Sequence, residues 1–268
     1  MPQPFARVNP KAQLMYDRDS GPSKHRPKLA LLAMAVISDW THLELWLRNV
    51  FLSMLGTNPR PGAAVYTSLS STAAQKSALT AVAKLALDPE LAEVFEALLF
   101  LFSRVARMRN KIAHWQWAYS PQSPDAVILI DPDAIFEQTI WGRDTQAHIA
   151  KIRAGQNTGN PWAPMFDSAS LYYAKDFLEI ASDIKDVTQL LILFDEVFFY
   201  SPRNSTYPMR NLMQMQGSNP DAIDSKYRTL LDQLKAQPPM AAALSRRRKH
   251  PKNSQEEPSR SPDEDPPQ

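Results

Sequence analysis

Between Pro89 and His114 the apolar residues return with the period of an α-helix, and this stretch limits what the chain can fold into more than any other. Setting successive residues about 100° apart gathers Leu91, Val94, Phe95, Leu98, Leu101, Phe102, Val105, Met108 and Ile112 into one buried stripe. The start is marked too: Asp88 suits the N-cap, Pro89 the first helical position, and Glu90 and Glu93 the positive end of the helix dipole. Arg109 falls in the middle of the stripe. A guanidinium keeps its charge in a protein, so a position facing the core requires either a carboxylate partner or a mouth open to water or ligand.

A second stripe offers a partner. From about Pro27 to Leu55 the same construction aligns Leu29, Ala33, Val36, Ile37, Trp40, Leu43, Leu47, Val50, Phe51 and Met54, with Glu44 inside it. Two helices each carrying one opposite charge in an apolar face predict a Glu44–Arg109 pair. Gly56, Pro59 and Pro61 end the first helix. From about Gly62 to Leu87 the pattern is helical but interrupted at Ser70-Ser71-Thr72, which predicts a break or two short helices with a Ser or Thr cap. A last long stripe, from about Ser168 to Phe199, carries Tyr173, Phe177, Ile180, Ile184, Val187, Leu191, Phe194 and Val197. Together these predict an all-α fold, an antiparallel four-helix bundle.

The period changes directly after His114. Trp115-Gln116-Trp117-Ala118-Tyr119 alternates, Ser120 to Asp125 supplies turn residues, and Ala126 to Ile130 is a short β-branched run. This predicts a small β-hairpin inserted between the third and fourth helices. Residues 131 to 165 read as an irregular connection with a short helix near Asp144 to Ala154, and His148 and Lys151 beside it. The expected layout is a flexible N-terminal arm over 1–26, with His25 and Arg26 at the surface, and a helical domain over 27–200. An extension over 201–236 holds a helix near Asp221 to Lys235, and 237–268 is a disordered, charged, proline-rich tail. Within that tail Arg246 to His250 is a basic cluster able to hold phosphates without sequence preference.

The end of the third helix concentrates polar chemistry. Arg107, Asn110, Lys111 and His114 share a face, while His114, five residues after Arg109, points to another side of an unbroken helix. The two converge only if the helix frays near Ala113 or if two copies of the chain share the site. Histidine exchanges protons near neutral pH, and can equally cap the last carbonyls. Trp115 and Trp117 offer flat faces for stacking on bases, or cover the end of the bundle.

Arg109-Asn110-Lys111-Ile112-Ala113-His114 resembles the Arg-(four residues)-His motif of the HEPN superfamily, helical domains named for higher eukaryotes and prokaryotes nucleotide-binding. A polar residue after the Arg is the commonest form of that motif, and Asn110 occupies it. The setting is similar as well: the motif ends a third long helix, and the first helix carries a Trp and a Glu, here Trp40 and Glu44. The likeness covers about residues 27 to 200. It implies a metal-independent RNA endonuclease, a toxin or defence effector acting as a homodimer in the cytoplasm, with an Arg and a His from each subunit in one cleft. Arg109, His114 and Asn110 would be catalytic, Glu44 supporting, and Arg107, Lys111, Trp115 and Trp117 would contact RNA. An antitoxin or regulatory partner fits the same resemblance. Other members of the superfamily are nucleotide-binding or protein-interaction modules without turnover, which is the alternative reading.

Composition narrows the rest. A 44% hydrophobic content suffices for a core in 268 residues, and the formal charge of +2 assigns any RNA affinity to a local patch. Without cysteine there is neither a disulfide framework nor a thiolate metal site. His25, His42, His114, His148 and His250 show no metal-ligand spacing, and seven glycines form no phosphate-cradling loop, so no metal and no cofactor is expected. No apolar run reads as a membrane span or secretory signal.

Overall fold

The computed structural model describes residues 2–5, 14–15, 24–56, 58–143, 150, 153–154, 163–202 and 219–249. It is mainly helical with a small antiparallel sheet. Three long helices are the frame: α1 Pro27–Leu55, α4 Pro89–His114 and α7 Ala174–Tyr200. Between the first two lie α2 Pro59–Ser68 and α3 Thr72–Ala86, separated at the serines, with Ser71 Oγ accepting the Ala74 N–H at 3.1 Å. Gly56 ends α1 with φ of 71°, a left-handed position that a side chain would penalise. Asp88 caps α4 through the Leu91 N–H at 2.9 Å. The chain divides into two compact units, one of residues 1–52 and 102–192, the other of 53–101 and 193–268.

In the first unit, Trp40 of α1 stacks on Phe102 of α4, ring centres 5.2 Å apart, amid buried Val36, Leu43, Leu47, Val105 and Ile112. The hairpin forms as β2 Gln116–Ala118 and β3 Ala126–Ile130, with Gln116 opposite Ile130 and Ala118 opposite Ile128. It is half of a larger sheet. β1 Gln3–Pro4 and β4 Ser170–Tyr173 complete four strands in the order β1-β4-β3-β2. Alternate sheet residues Ala126, Ile128, Ile130 and Leu171 bury one face with Phe5, Met165 and Ala169. Two further helices, α5 Pro132–Arg143 and α6 Ala163–Ser168, lie between β3 and β4.

Three expectations are corrected here. The N-terminal segment is not a loose arm throughout: Gln3 and Pro4 pair with β4, Phe5 is fully buried, and Met15 bridges Tyr119. Arg26 is half-buried, donating to the carbonyls of Ala126, Ser120 and Ser123 at 3.3, 3.2 and 3.5 Å, so it latches the hairpin turn. The last long helix begins at Ala174 and not Ser168, because residues 170–173 pair with β3 and Asp176 then accepts the Tyr173 N–H at 2.9 Å, closing the helix start. The helix placed near Asp144 to Ala154, with His148 and Lys151, falls largely outside the described residues.

The second unit holds α2, α3, the first half of α4 and the end of α7, together with α8 Pro220–Ala236 and α9 Pro238–Lys249. Phe95 packs on Phe194 at 4.9 Å between ring centres. The helix expected near residues 221–235 is present as α8 and buries Ile223, Tyr227, Leu230, Leu231 and Leu234. The Tyr227 hydroxyl donates to Asp88 at 2.9 Å, and burial with that carboxylate holds the phenol far above its ordinary range. α9 overturns the reading of everything from residue 237 as disordered. Its prolines occupy the first turn, where a missing N–H costs nothing, and Met240, Ala243 and Leu244 are buried. Arg247 of the basic cluster pairs with Glu96, and Lys235 with Glu90. Residues 250–268 lie outside the described ones.

Candidate functional site

α4 stays helical through His114, and the Trp115 N–H extends the ladder to the Lys111 carbonyl at 3.0 Å. The helix therefore does not fray at Ala113. Five helical residues turn the chain about 140° beyond a full turn, so Arg109 and His114 leave the helix on different sides. Arg109 is half-buried, and His114 is exposed at the helix end.

Arg109 has no carboxylate partner among the described residues, and the expected pair with Glu44 is not formed. Glu44 is exposed. At its level the buried face of α1 is filled by Trp40, Leu43 and Leu47, and Glu44 lies beyond the edge of that face. The guanidinium instead lies over the Trp40 ring, its carbon 5.4 Å from the ring centre, and Nη1 donates to Asn110 Oδ1 at 3.2 Å. A cation over an indole face is attracted by the ring quadrupole. Arg109 Nε and Trp40 Nε1 are both shut off from solvent, and neither has an acceptor among the described residues. Of the two ways to place a charge in an apolar stripe, the chain uses the open mouth.

That mouth is a groove of about 620 Å³ lined by Ala30, Ala33, Met34 and Ile37 of α1, by Arg109, Ile112 and Ala113 of α4, and by Trp115, Gln116 and Trp117. Its two tryptophans are held differently. Trp117 Nε1 donates to the Ile112 carbonyl at 3.0 Å and the ring stacks on Phe177 at 6.1 Å, so Trp117 braces the helix end against α7. Tyr172, 5.7 Å from Phe177, extends this cluster, and its buried phenol is pushed up to about 12 with Asp176 adding to the effect. Trp115 instead has Lys111 Nζ 4.4 Å from its ring centre.

The sequence-derived residues thus divide. Arg109, Trp115 and Trp117 line one groove; Asn110 touches Arg109 from its exposed position, and Lys111 sits over Trp115. Arg107 and His114 are exposed outside it. His114 makes no side-chain hydrogen bond or ion pair among the described residues. Sequence reasoning missed the groove wall of Met34 and Gln116 and the Arg26 latch. Met34 lay off the helical stripe, and a lone Arg in a proline-bearing segment carries no sequence signal.

From Ala97 to Pro124 the chain has no acidic residue and carries Arg104, Arg107, Arg109 and Lys111. Arg104 pairs with Asp183 at 3.5 Å, whose own carboxyl is raised by burial against the opposing pull of Arg104. Among the described residues no group of three His, Asp or Glu side chains is placed to hold a metal ion, and no helix is long and apolar enough to cross a membrane. No protein-family model, no curated protein and no solved structure matches this chain.

Proposed function

We propose that this chain is a HEPN-type four-helix-bundle ribonuclease that cleaves RNA without a metal ion as a homodimer. The observation that carries the reading is Arg109: a cation held over Trp40 at the mouth of a groove, with no carboxylate partner among the described residues, five residues before an exposed histidine on an unbroken helix. An unneutralised arginine in that position suits a phosphate. Because one helix directs Arg109 and His114 apart, the reaction centre combines two copies, each supplying both residues.

In that centre His114 accepts the proton of a ribose 2′-hydroxyl, and the freed oxygen attacks the adjacent phosphorus. The 5′-oxygen of the next nucleotide leaves and takes a proton from the His114 of the second copy. Arg109 neutralises the charge gathering on the phosphate oxygens, with Asn110 fixing the guanidinium. The products are a 2′,3′-cyclic phosphate and a 5′-hydroxyl. Arg107, Lys111, Trp115 and Trp117 hold the strand. Glu44, exposed, supports the site at most by its charge. A toxin or defence effector of the cytoplasm, restrained by an antitoxin or other regulatory partner, is the role this chemistry serves.

One observation favours the alternative of a non-catalytic nucleotide-binding or protein-interaction module: the groove contains Arg109 but not His114. Mixing the natural chain with His114→Ala separates the two. In a shared centre each mixed dimer lacks one of the two histidines, so cleavage falls below the natural chain's share of the mixture; a module cleaves in no combination.

A further inference from the structure

A second groove, of about 740 Å³, opens where the starts of α1 and α7 meet the turn between β2 and β3. Among the described residues it shares no lining with the Arg109 groove. Its walls are aliphatic: Pro27, Leu29, Leu31 and Leu32 from α1, Pro124 from the turn and Ala174 from α7. Leu29 belongs to the core, but Leu31 is 71% exposed, so the core does not account for it. The walls are fixed before anything binds. Arg26 ties the carbonyls of Ala126, Ser120 and Ser123 to the start of α1, and buried Asp176 holds the start of α7 through the Tyr173 N–H. Preformed clefts of about 300–1,000 Å³ are the usual size of small-molecule sites.

The charges of this groove lean one way. Arg26 donates to the main-chain oxygens of His25, Ser120, Ser123 and Ala126, and such bonds leave the charge of a guanidinium in place. Neither Arg26 nor Lys28 has a carboxylate partner among the described residues. The first turn of α1 carries no acidic side chain, so the positive end of its dipole reinforces these cations. Asp125 is the one carboxylate among the described lining residues. Arg26 and Lys28 against Asp125 leave a net positive charge that matches a monoanion better than a phosphate dianion. Lys28 stands three and four residues before Leu31 and Leu32, on the same side of α1, so its cation borders the aliphatic wall. His25 supplies a ring to the described lining, and that ring is stacked on Tyr119, centres 4.2 Å apart. The lining therefore suits an aliphatic chain rather than a flat ring.

We propose that this groove binds an amphipathic monoanion of the medium-chain fatty-acid class, taken up from solution, with its carboxylate beside Lys28 and Arg26 and its chain along Leu31, Leu32 and Pro124. Each methylene removed from water strengthens the complex, so affinity grows with chain length. The carboxylate end sets the orientation, because the cations border one part of an otherwise aliphatic wall. The inference does not rest on the ribonuclease reading. It uses neither Arg109 nor His114, and it needs neither RNA nor a second copy of the chain.

The test is calorimetric titration of the full chain with decanoate below its micelle concentration, with hexanoate and decylamine for comparison. The expected result is saturable binding of one decanoate per chain, about tenfold or more tighter than hexanoate, and no saturable binding of decylamine. Lys28→Glu and Leu31→Asp, both at exposed positions, should each weaken decanoate about tenfold or more. Met34→Asp, in the wall of the other groove, should leave it unchanged. Absence of saturable binding at millimolar decanoate overturns the proposal. So does unchanged affinity in Lys28→Glu and Leu31→Asp proteins whose circular dichroism shows them folded. Decylamine binding as tightly as decanoate removes the carboxylate contact, and loss of affinity in Met34→Asp moves the ligand to the Arg109 groove; either result overturns it as well. Sedimentation of the chain with phosphatidylglycerol vesicles, without decanoate binding, would overturn it in favour of a membrane surface.

Discussion

The guanidinium of Arg109 lies 5.4 Å from the centre of the Trp40 ring, and no carboxylate of the described chain neutralises it. An arginine in a buried ion pair and an arginine over an indole respond differently to substitution. Breaking a buried pair strands a charge and costs about 3–5 kcal/mol. Here there is no partner to strand. Glu44→Gln is therefore expected to change the unfolding free energy by less than about 0.5 kcal/mol, and Arg109→Met to leave it unchanged or raise it. Urea denaturation of both variants checks this; a loss of several kcal/mol in Glu44→Gln would reinstate the pair.

The Arg26 latch makes a second prediction. Its guanidinium serves the carbonyls of Ala126, Ser120 and Ser123, which set the turn between β2 and β3. Lysine has a single donor centre in place of the planar fork and reaches fewer of these acceptors. Arg26→Lys should cost about 1.5–3 kcal/mol and shift the fluorescence of the tryptophans that flank the hairpin. Equal stability would mean the turn stands without it.

Asp195 gives a pH dependence. Burial raises its carboxyl above the ordinary 3.8, and a hydrogen bond with Ser53 opposes the shift. A carboxyl raised on folding contributes stability that is complete below the unfolded value and is lost as pH rises through the folded one. At neutral pH the ionised group is thus a liability. Asp195→Asn should melt at a higher temperature than the natural chain at pH 7, and the difference should shrink as pH falls towards the ordinary carboxylate range. Thermal melts from pH 3 to 8 decide it; a constant or reversed difference contradicts it.

α9 carries a fourth. Met240 is fully buried, and truncating a buried methionine costs about 2–5 kcal/mol. Met240→Ala should destabilise the chain by that much in denaturant, whereas a side chain in a solvated tail would register nothing.

The long helices were legible because their apolar period is sustained over many turns and their ends are marked by Asp88, Pro89 and Gly56. Elements that depend on distant partners were not. Ser170–Tyr173 carries a helix-compatible pattern and becomes a strand only because β3 lies beside it, and Gln3–Pro4 is too short to announce itself. Proline density made Pro238–Lys249 resemble a tail, although its prolines stand where a helix begins. Around the site, the anomaly of Arg109 was readable but its resolution was not. Glu44 and Arg109 each sat in a stripe drawn from ideal angles, and only the packing of Trp40, Leu43 and Leu47 decides which of the two charges is buried.

The most direct measurement is cleavage of bulk cellular RNA in EDTA by the natural chain, Arg109→Ala and His114→Ala, with the product ends identified. The account predicts fragments ending in 2′,3′-cyclic phosphate from the natural chain and none from either variant, both remaining folded and dimeric. Intact RNA with the natural chain, or cleavage that persists in His114→Ala, would contradict it.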